Sequence, residues 1–195
     1  VEKHASTTHI GFWKRFLAYY IDSLLLTFVG FGIGASGVGG DYVWAPSLLV
    51  SGAYFVFFWV KQDGQTLGNK LLAIKVVRED GKPLDVATAV IRYIGYIISG
   101  FVLNLGFLWV IWDKKKQGWH DKMAKTVVVK TDGKSHTGIA IAIVAVTFLL
   151  FILLVIGLVA GAMVFFKYAK ENPDKVQYNK ELQYQQDTTI SQPTY

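Results

Sequence analysis

Hydrophobic residues in this chain come in long blocks separated by polar intervals. The clearest block, Ile139 to Phe166, carries no charge and exceeds the ~20 residues needed to cross a ~30 Å hydrocarbon core. It predicts a membrane-crossing helix over about 138–166. A second block, 11–35, opens on Trp13, Lys14 and Arg15, the aromatic and basic anchor expected at a cytoplasmic headgroup layer. A third, 44–60, has Pro46 in its first turn, where a missing N–H is harmless. Its inner end is aromatic (Tyr54, Phe55, Phe57, Phe58, Trp59) and closes on Lys61, the composition of an interfacial belt. The Gly-rich connection from Ser36 to Tyr42 has no Lys or Arg and reads as a short external loop.

The stretch from Val86 to Trp112 is ambiguous. It is long enough for one tilted span at 1.5 Å per residue, or for two half-length helices broken near Ser99, Gly100 and Asn104. Two short β-like runs flank it, Ala73 to Val77 and Thr126 to Val129. Each is followed by an Asp-Gly turn signal, Asp80-Gly81 and Asp132-Gly133. They can pair only if both lie on one side of the membrane. The segment Asp113 to His136 holds seven Lys and three Asp, so the positive-inside rule keeps it cytoplasmic. A re-entrant hairpin satisfies the charge rule and permits the pairing.

The pattern therefore predicts an all-α integral membrane protein. It is a polytopic helical bundle with three full transmembrane spans, one helical hairpin or further span, and a small cytoplasmic β element. Its expected divisions are a cytoplasmic segment 1–10, a membrane domain 11–130 with spans near 11–35, 44–60 and 86–112, a linker 131–137, a terminal helix 138–166 and a polar tail 167–195.

Composition agrees: 52% of residues are hydrophobic, and the mean hydropathy is +0.35. The net charge of +6 would suggest nucleic acid in a soluble chain, but here the basic residues gather in the loops expected to stay inside, so no nucleic-acid partner is expected. There is no cysteine, which excludes disulfides, thiol catalysis and cysteine-held metals. The polar start, Val1 to Ile10, does not read as a signal peptide. Gly30 with Gly34, and Gly157 with Gly161, are small-xxx-small pairs that allow close helix approach, so a homo-oligomer or other membrane subunits are expected partners besides the bilayer. The Gln-, Asn- and Tyr-rich tail beyond Asn172 reads as disordered unless a partner orders it.

The candidate chemistry lies in charges inside apolar blocks. Asp22 sits nine residues after Trp13, roughly 13 Å along a helix and close to the midplane of a ~30 Å core. A carboxylate there is costly and must face protein or water. Arg15 lies two turns earlier on the same face. Arg92 is a second candidate neighbour: if Asp85 caps a helix beginning at Val86, Arg92 lies about 10 Å in from the cytoplasmic side. An Asp22–Arg92 pair would neutralise two charges at similar depth. Asp22 then either fixes helices in register or takes part in a pathway for protons or cations.

These residues also carry a resemblance. The run from Gly11 through Arg15 and Ala18 to Asp22 resembles the opening helix of the RDD family, named for one arginine and two aspartates. Asp63-Gly-Gln-Thr66-Leu-Gly68-Asn-Lys70, the Lys75-Val-Val strand, Arg92, and Gln117-Gly-Trp-His120-Asp121 continue the match to about Lys130. The resemblance makes Arg15, Asp22 and Asp121 the three name-giving positions. Lys125 stands where members commonly have a small residue such as Gly. The resemblance implies a membrane protein without agreed catalytic chemistry, and transport of ions or small solutes. Asp121 then either clasps Arg15 at the membrane surface or stands at the mouth of a pathway.

Neighbouring His120 and Asp121 side chains are expected to diverge, and His4, His9 and His136 are scattered, so no metal site is expected. Phosphate-cradling glycine loops, His-Glu-x-x-His and a serine with a plausible base are absent. The expectation is a non-enzyme without cofactor in a prokaryotic cytoplasmic (inner) membrane, N-terminus inside. It is a component of ion or small-solute transport built on Arg15, Asp22, Arg92 and Asp121, or an accessory or scaffold subunit of a larger complex.

Overall fold

The computed structural model describes residues 9–38, 40–42 and 44–173. The N-terminal segment through Thr8, with His4, and the tail beyond Pro173 lie outside the described residues. The chain is mostly helical: α1 (Phe12–Ala35), α2 (Trp44–Lys61), α3 (Leu67–Leu71), α4 (Val86–Phe101), α5 (Leu105–Leu108), α6 (Trp119–Ala124) and α7 (Thr137–Glu171), with strands β1 (Ile74–Arg78) and β2 (Thr126–Lys130). It divides into two units within α7, after Ala145. By length and composition, α1, α2 and α7 suffice to cross a membrane.

Local sequence explains the boundaries. Thr66 caps α3 by accepting the Asn69 N–H at 3.2 Å, and Asp85 caps α4 by accepting the Thr88 N–H at 2.7 Å; both satisfy first-turn donors that the helix leaves free. Asp85 also pairs with Arg78. The Asp80-Gly81 turn follows β1, with Gly81 at φ +74°.

The two β-like runs pair antiparallel, Val76 opposite Val128. The N-terminal segment joins them: the Ile10 N–H donates to the Val128 carbonyl at 2.9 Å. The segment before α7 is tied to the same place, since the His136 N–H donates to the Leu71 carbonyl at 2.8 Å. The start of α1, the polar segments 62–85 and 113–136 and the start of α7 therefore meet at one end of the first unit. Its core lies there, with Ala18, Phe55, Trp59, Leu72, Ile74, Val76, Ala89 and Val128 buried.

The Val86–Trp112 stretch is broken. Residues Val86–Phe101 and Leu105–Ile111 meet at 111°, and Leu103 and Asn104 turn the chain at φ +49° and +61°. Gly106 packs so tightly on Ser99 that an added Cβ would stand 2.2 Å from its Oγ. Among the described residues the second unit consists mainly of the rest of α7, whose apolar side chains are exposed.

Candidate functional site: two buried carboxylate centres

Asp22, on α1, is 2% exposed. Its Oδ1 accepts from the Tyr54 hydroxyl at 2.7 Å and the Gly68 N–H at 2.8 Å, and its Oδ2 accepts from the Thr66 hydroxyl at 2.6 Å. Tyr54 comes from α2, while Thr66 and Gly68 come from the cap and first turn of α3. Glycine is required at 68: an added Cβ would stand 2.1 Å from the Ala18 carbonyl oxygen. That close approach lets the α3 amide reach α1 at all.

The expected Asp22–Arg92 pair is not made. Three uncharged donors hold the Asp22 carboxylate, and Arg92 is engaged by Asp121. Counting along α1 gives the depth of Asp22 but omits α3, an element of the polar 62–85 segment packed over it. Asp22 lies beneath that segment, bonded to Thr66 and Gly68.

Asp121, on α6, is fully buried between two cations. Arg15 of α1 binds its Oδ2 and Arg92 of α4 binds its Oδ1. The Gly118 N–H donates to Oδ2 at 2.8 Å, because the side chain folds back over the first turn of α6. The same fold-back brings Oδ2 within 3.3 Å of His120 Nε2, so these adjacent side chains meet where divergence was expected. Arg92 is 1% exposed. It also donates to the Thr126 hydroxyl, and its guanidinium lies 5.0 Å from the Trp59 ring centroid and 5.6 Å from that of Tyr96, a cation–π arrangement. Arg15 donates further to the Lys116 carbonyl.

Burial alone would raise the Asp121 carboxyl, but Arg15 and Arg92 outweigh it and hold the group well below the usual carboxylate range. Burial dominates at His120 and pushes it down to about 4, against the pull of Asp121. His120 is therefore neutral at pH 7, and the centre carries two positive charges and one negative.

The depressed His120 value has a consequence for stability. A group whose folded value lies below its unfolded value of 6.5 contributes stability that is full above pH 6.5 and lost as pH falls through about 4. Thermal melts in detergent are expected to lose roughly 2 kcal/mol between pH 7 and 4.5. His120→Gln should flatten that dependence; an unchanged slope would show that His120 is not its source.

The two centres share a chamber of about 20 Å³, lined by Arg15, Asp22, Thr66, Asn69 and Arg92 among others, enough room for one water molecule. Among the described residues no three His, Asp or Glu side chains converge as a metal site would. Lys125, between α6 and β2, adopts φ +50°, a left-handed conformation that Gly takes most readily. The small-xxx-small glycines do not make the closest approaches: Gly30 meets only Ser47 Oγ, with an added Cβ at 3.6 Å, and Gly34, Gly157 and Gly161 are exposed.

Arg15, Asp22, Arg92 and Asp121 stand out in the sequence as charges in or beside apolar blocks. Nothing in the sequence marks Tyr54, Thr66 and Gly68 as the groups that hold Asp22, or Thr126 and Gly118 as those that hold the second centre. Thr66 three residues before Asn69 was a readable cap signal; Tyr54 had none that distinguished it from an aromatic belt.

The profile of the RDD family matches residues 10–125, a span that contains both carboxylates and both arginines. The chain belongs to the RDD family. A Bacillus subtilis (strain 168) relative, "Uncharacterized protein YxaI", is 32% identical in an alignment 145 positions long that covers 61% of this chain and 95% of that protein. A Mycobacterium tuberculosis (strain ATCC 25618 / H37Rv) relative, "Proline-rich antigen homolog", is 36% identical over 67 residues, 34% of this chain and 28% of its own length. A Rickettsia prowazekii (strain Madrid E) relative, "Uncharacterized protein RP437", is 33% identical over 92 residues, 46% of this chain and 49% of that protein. The match thus spans less than a third of the mycobacterial protein and about half of the rickettsial one. No solved structure gives a match.

Proposed function

We propose that this RDD-family chain is a multi-pass protein of the cytoplasmic membrane and a component of ion or small-solute transport. The observation that carries the reading is the shared chamber, which Asp22 and Arg92, from two helices, both line. Buried charge on apolar helices is costly and is kept where it serves a pathway or a lock. The meeting of the N-terminal strand segment, the Lys-rich segments and the start of α7 at one end supports a cytoplasmic N-terminus. It also supports the α4–α5 bend as a re-entrant hairpin that returns the chain to that side.

Asp22→Asn tests the reading cleanly. Asparagine keeps the Oδ1 that accepts from Tyr54 and Gly68, and its amide can donate to Thr66, whose hydroxyl turns to accept. Only the charge is removed. Proton and monovalent-cation flux should be followed in vesicles containing the purified chain, with a trapped pH dye. Transport predicts flux in the wild type and at least a tenfold loss in Asp22→Asn with the fold intact. Equal flux in both would remove Asp22 from any pathway.

A second reading is an accessory or scaffold subunit. It is favoured by the completeness of the bonding, since Asp22 has three donors and Asp121 two arginines, as in a lock. The exposed Gly157 and Gly161 then suit a second copy or another subunit. Absence of flux in either form, with co-purifying membrane subunits, would select this reading.

A further inference from the structure

The Asp121 centre borders a separate cleft that neither carboxylate centre uses. The cleft, about 310 Å³, opens between the first turns of α1, the middle of α4, and α5 with α6. Its walls are largely aromatic, including Phe16, Tyr19, Tyr96 and Phe107, and Arg15 and His120 also line it. This volume lies at the lower end of ligand-binding pockets, which are mostly apolar with a few placed polar groups.

Charge decides what such a cleft would take. Arg15 and Arg92 share one carboxylate, so the centre keeps a surplus positive charge on the side where Arg15 meets the cleft. The neighbouring acids do not balance it: Asp113 pairs with Lys122 at 2.6 Å, and Glu79 pairs with Lys115 at 3.2 Å. Arg15 has a side chain 11% exposed, whereas Arg92 is sealed at 1%. An incoming anion therefore meets Arg15. His120 presents Nε2 to Asp121, and its Nδ1 is sealed from solvent, so Arg15 is the donor that an anionic head can reach.

We propose that the cleft is a binding site for an anionic amphiphile, with a carboxylate or phosphate head on Arg15 and a hydrocarbon chain along Phe16, Tyr19, Tyr96 and Phe107. The space suits a single chain, not a whole two-chain lipid. A guanidinium recognises either head by paired N–H donors, and the aromatic wall gives the chain its apolar contact. The site does not depend on the transport reading, and binding is measured without flux, so either can fail alone.

The test uses the full chain in nanodiscs of phosphatidylcholine, with empty discs as background. Radiolabelled dodecanoate should bind saturably at one site per chain. Dodecyl phosphate should displace it, and dodecanol, which has the chain without the charge, at least tenfold less well. Leu108→Trp, which narrows the cleft, and Phe16→Ala, which strips an exposed part of its wall, should each weaken binding at least tenfold. Both leave Arg15, Arg92 and Asp121 in place, and an unchanged thermal midpoint without ligand verifies the fold. Discs containing phosphatidylglycerol identify the source: competition points to a membrane lipid headgroup, and no competition to a free single-chain acid. The proposal is overturned if no saturable binding exceeds empty discs, if dodecanol competes equally, or if both variants bind as the wild type does.

Discussion

Asp121→Ala is expected to be the most damaging single substitution outside the apolar core. It leaves Arg15 and Arg92 directed at the same space with no counter-ion, and Arg92 is sealed from water. Removing one partner of a buried pair costs about 3–5 kcal/mol, because the remaining charge stays desolvated. The Gly118 N–H loses its acceptor as well. The readout is the unfolding midpoint of the purified chain in detergent, with the fraction recovered as monodisperse protein. Asp121→Asn should fall between, since its remaining oxygen still accepts one arginine. A loss below about 1 kcal/mol for Asp121→Ala, the range of exposed ion pairs, would mean that the centre is wet.

Asp22→Ala is expected to cost about 2–4 kcal/mol, by stranding the Tyr54 hydroxyl, the Thr66 hydroxyl and the Gly68 N–H. Asp22→Asn should recover most of this. The contrast separates hydrogen bonding from charge. If the carboxylate were held by a cation, asparagine would be nearly as damaging as alanine. The same unfolding assay measures it, and equal losses for the two substitutions would contradict the three-donor arrangement.

Much of the backbone was legible because local rules set it. The bend between α4 and α5 followed from Ser99, Gly100 and Asn104, although the turn itself uses Leu103 at φ +49°, a conformation no leucine advertises. The pairing of β1 with β2 followed from two β-branched runs and from the charge rule that puts them on one side. Arg15 and Asp121 came together as the clasp reading described. The partner of Asp22 was not legible. Helix arithmetic gives depth along an axis, but not which non-helical segment returns to cover that face. Here the covering segment depends on Gly68 admitting the backbone of α3 to within contact of Ala18. Arg92 pairs with Asp121 and not with Asp22, because depth along a helix axis does not distinguish two acids contributed by different elements.

The central claim is that the buried charges form two separate centres, Asp121 with two arginines and Asp22 with neutral donors. Two double-mutant cycles on unfolding free energy in detergent test it most directly, using Arg92→Gln with Asp121→Asn and Arg92→Gln with Asp22→Asn. Two separate centres predict a coupling of about 2–3 kcal/mol for Arg92 with Asp121 and under about 1 kcal/mol for Arg92 with Asp22. The reverse order, with strong coupling to Asp22 and near-additivity with Asp121, would contradict it.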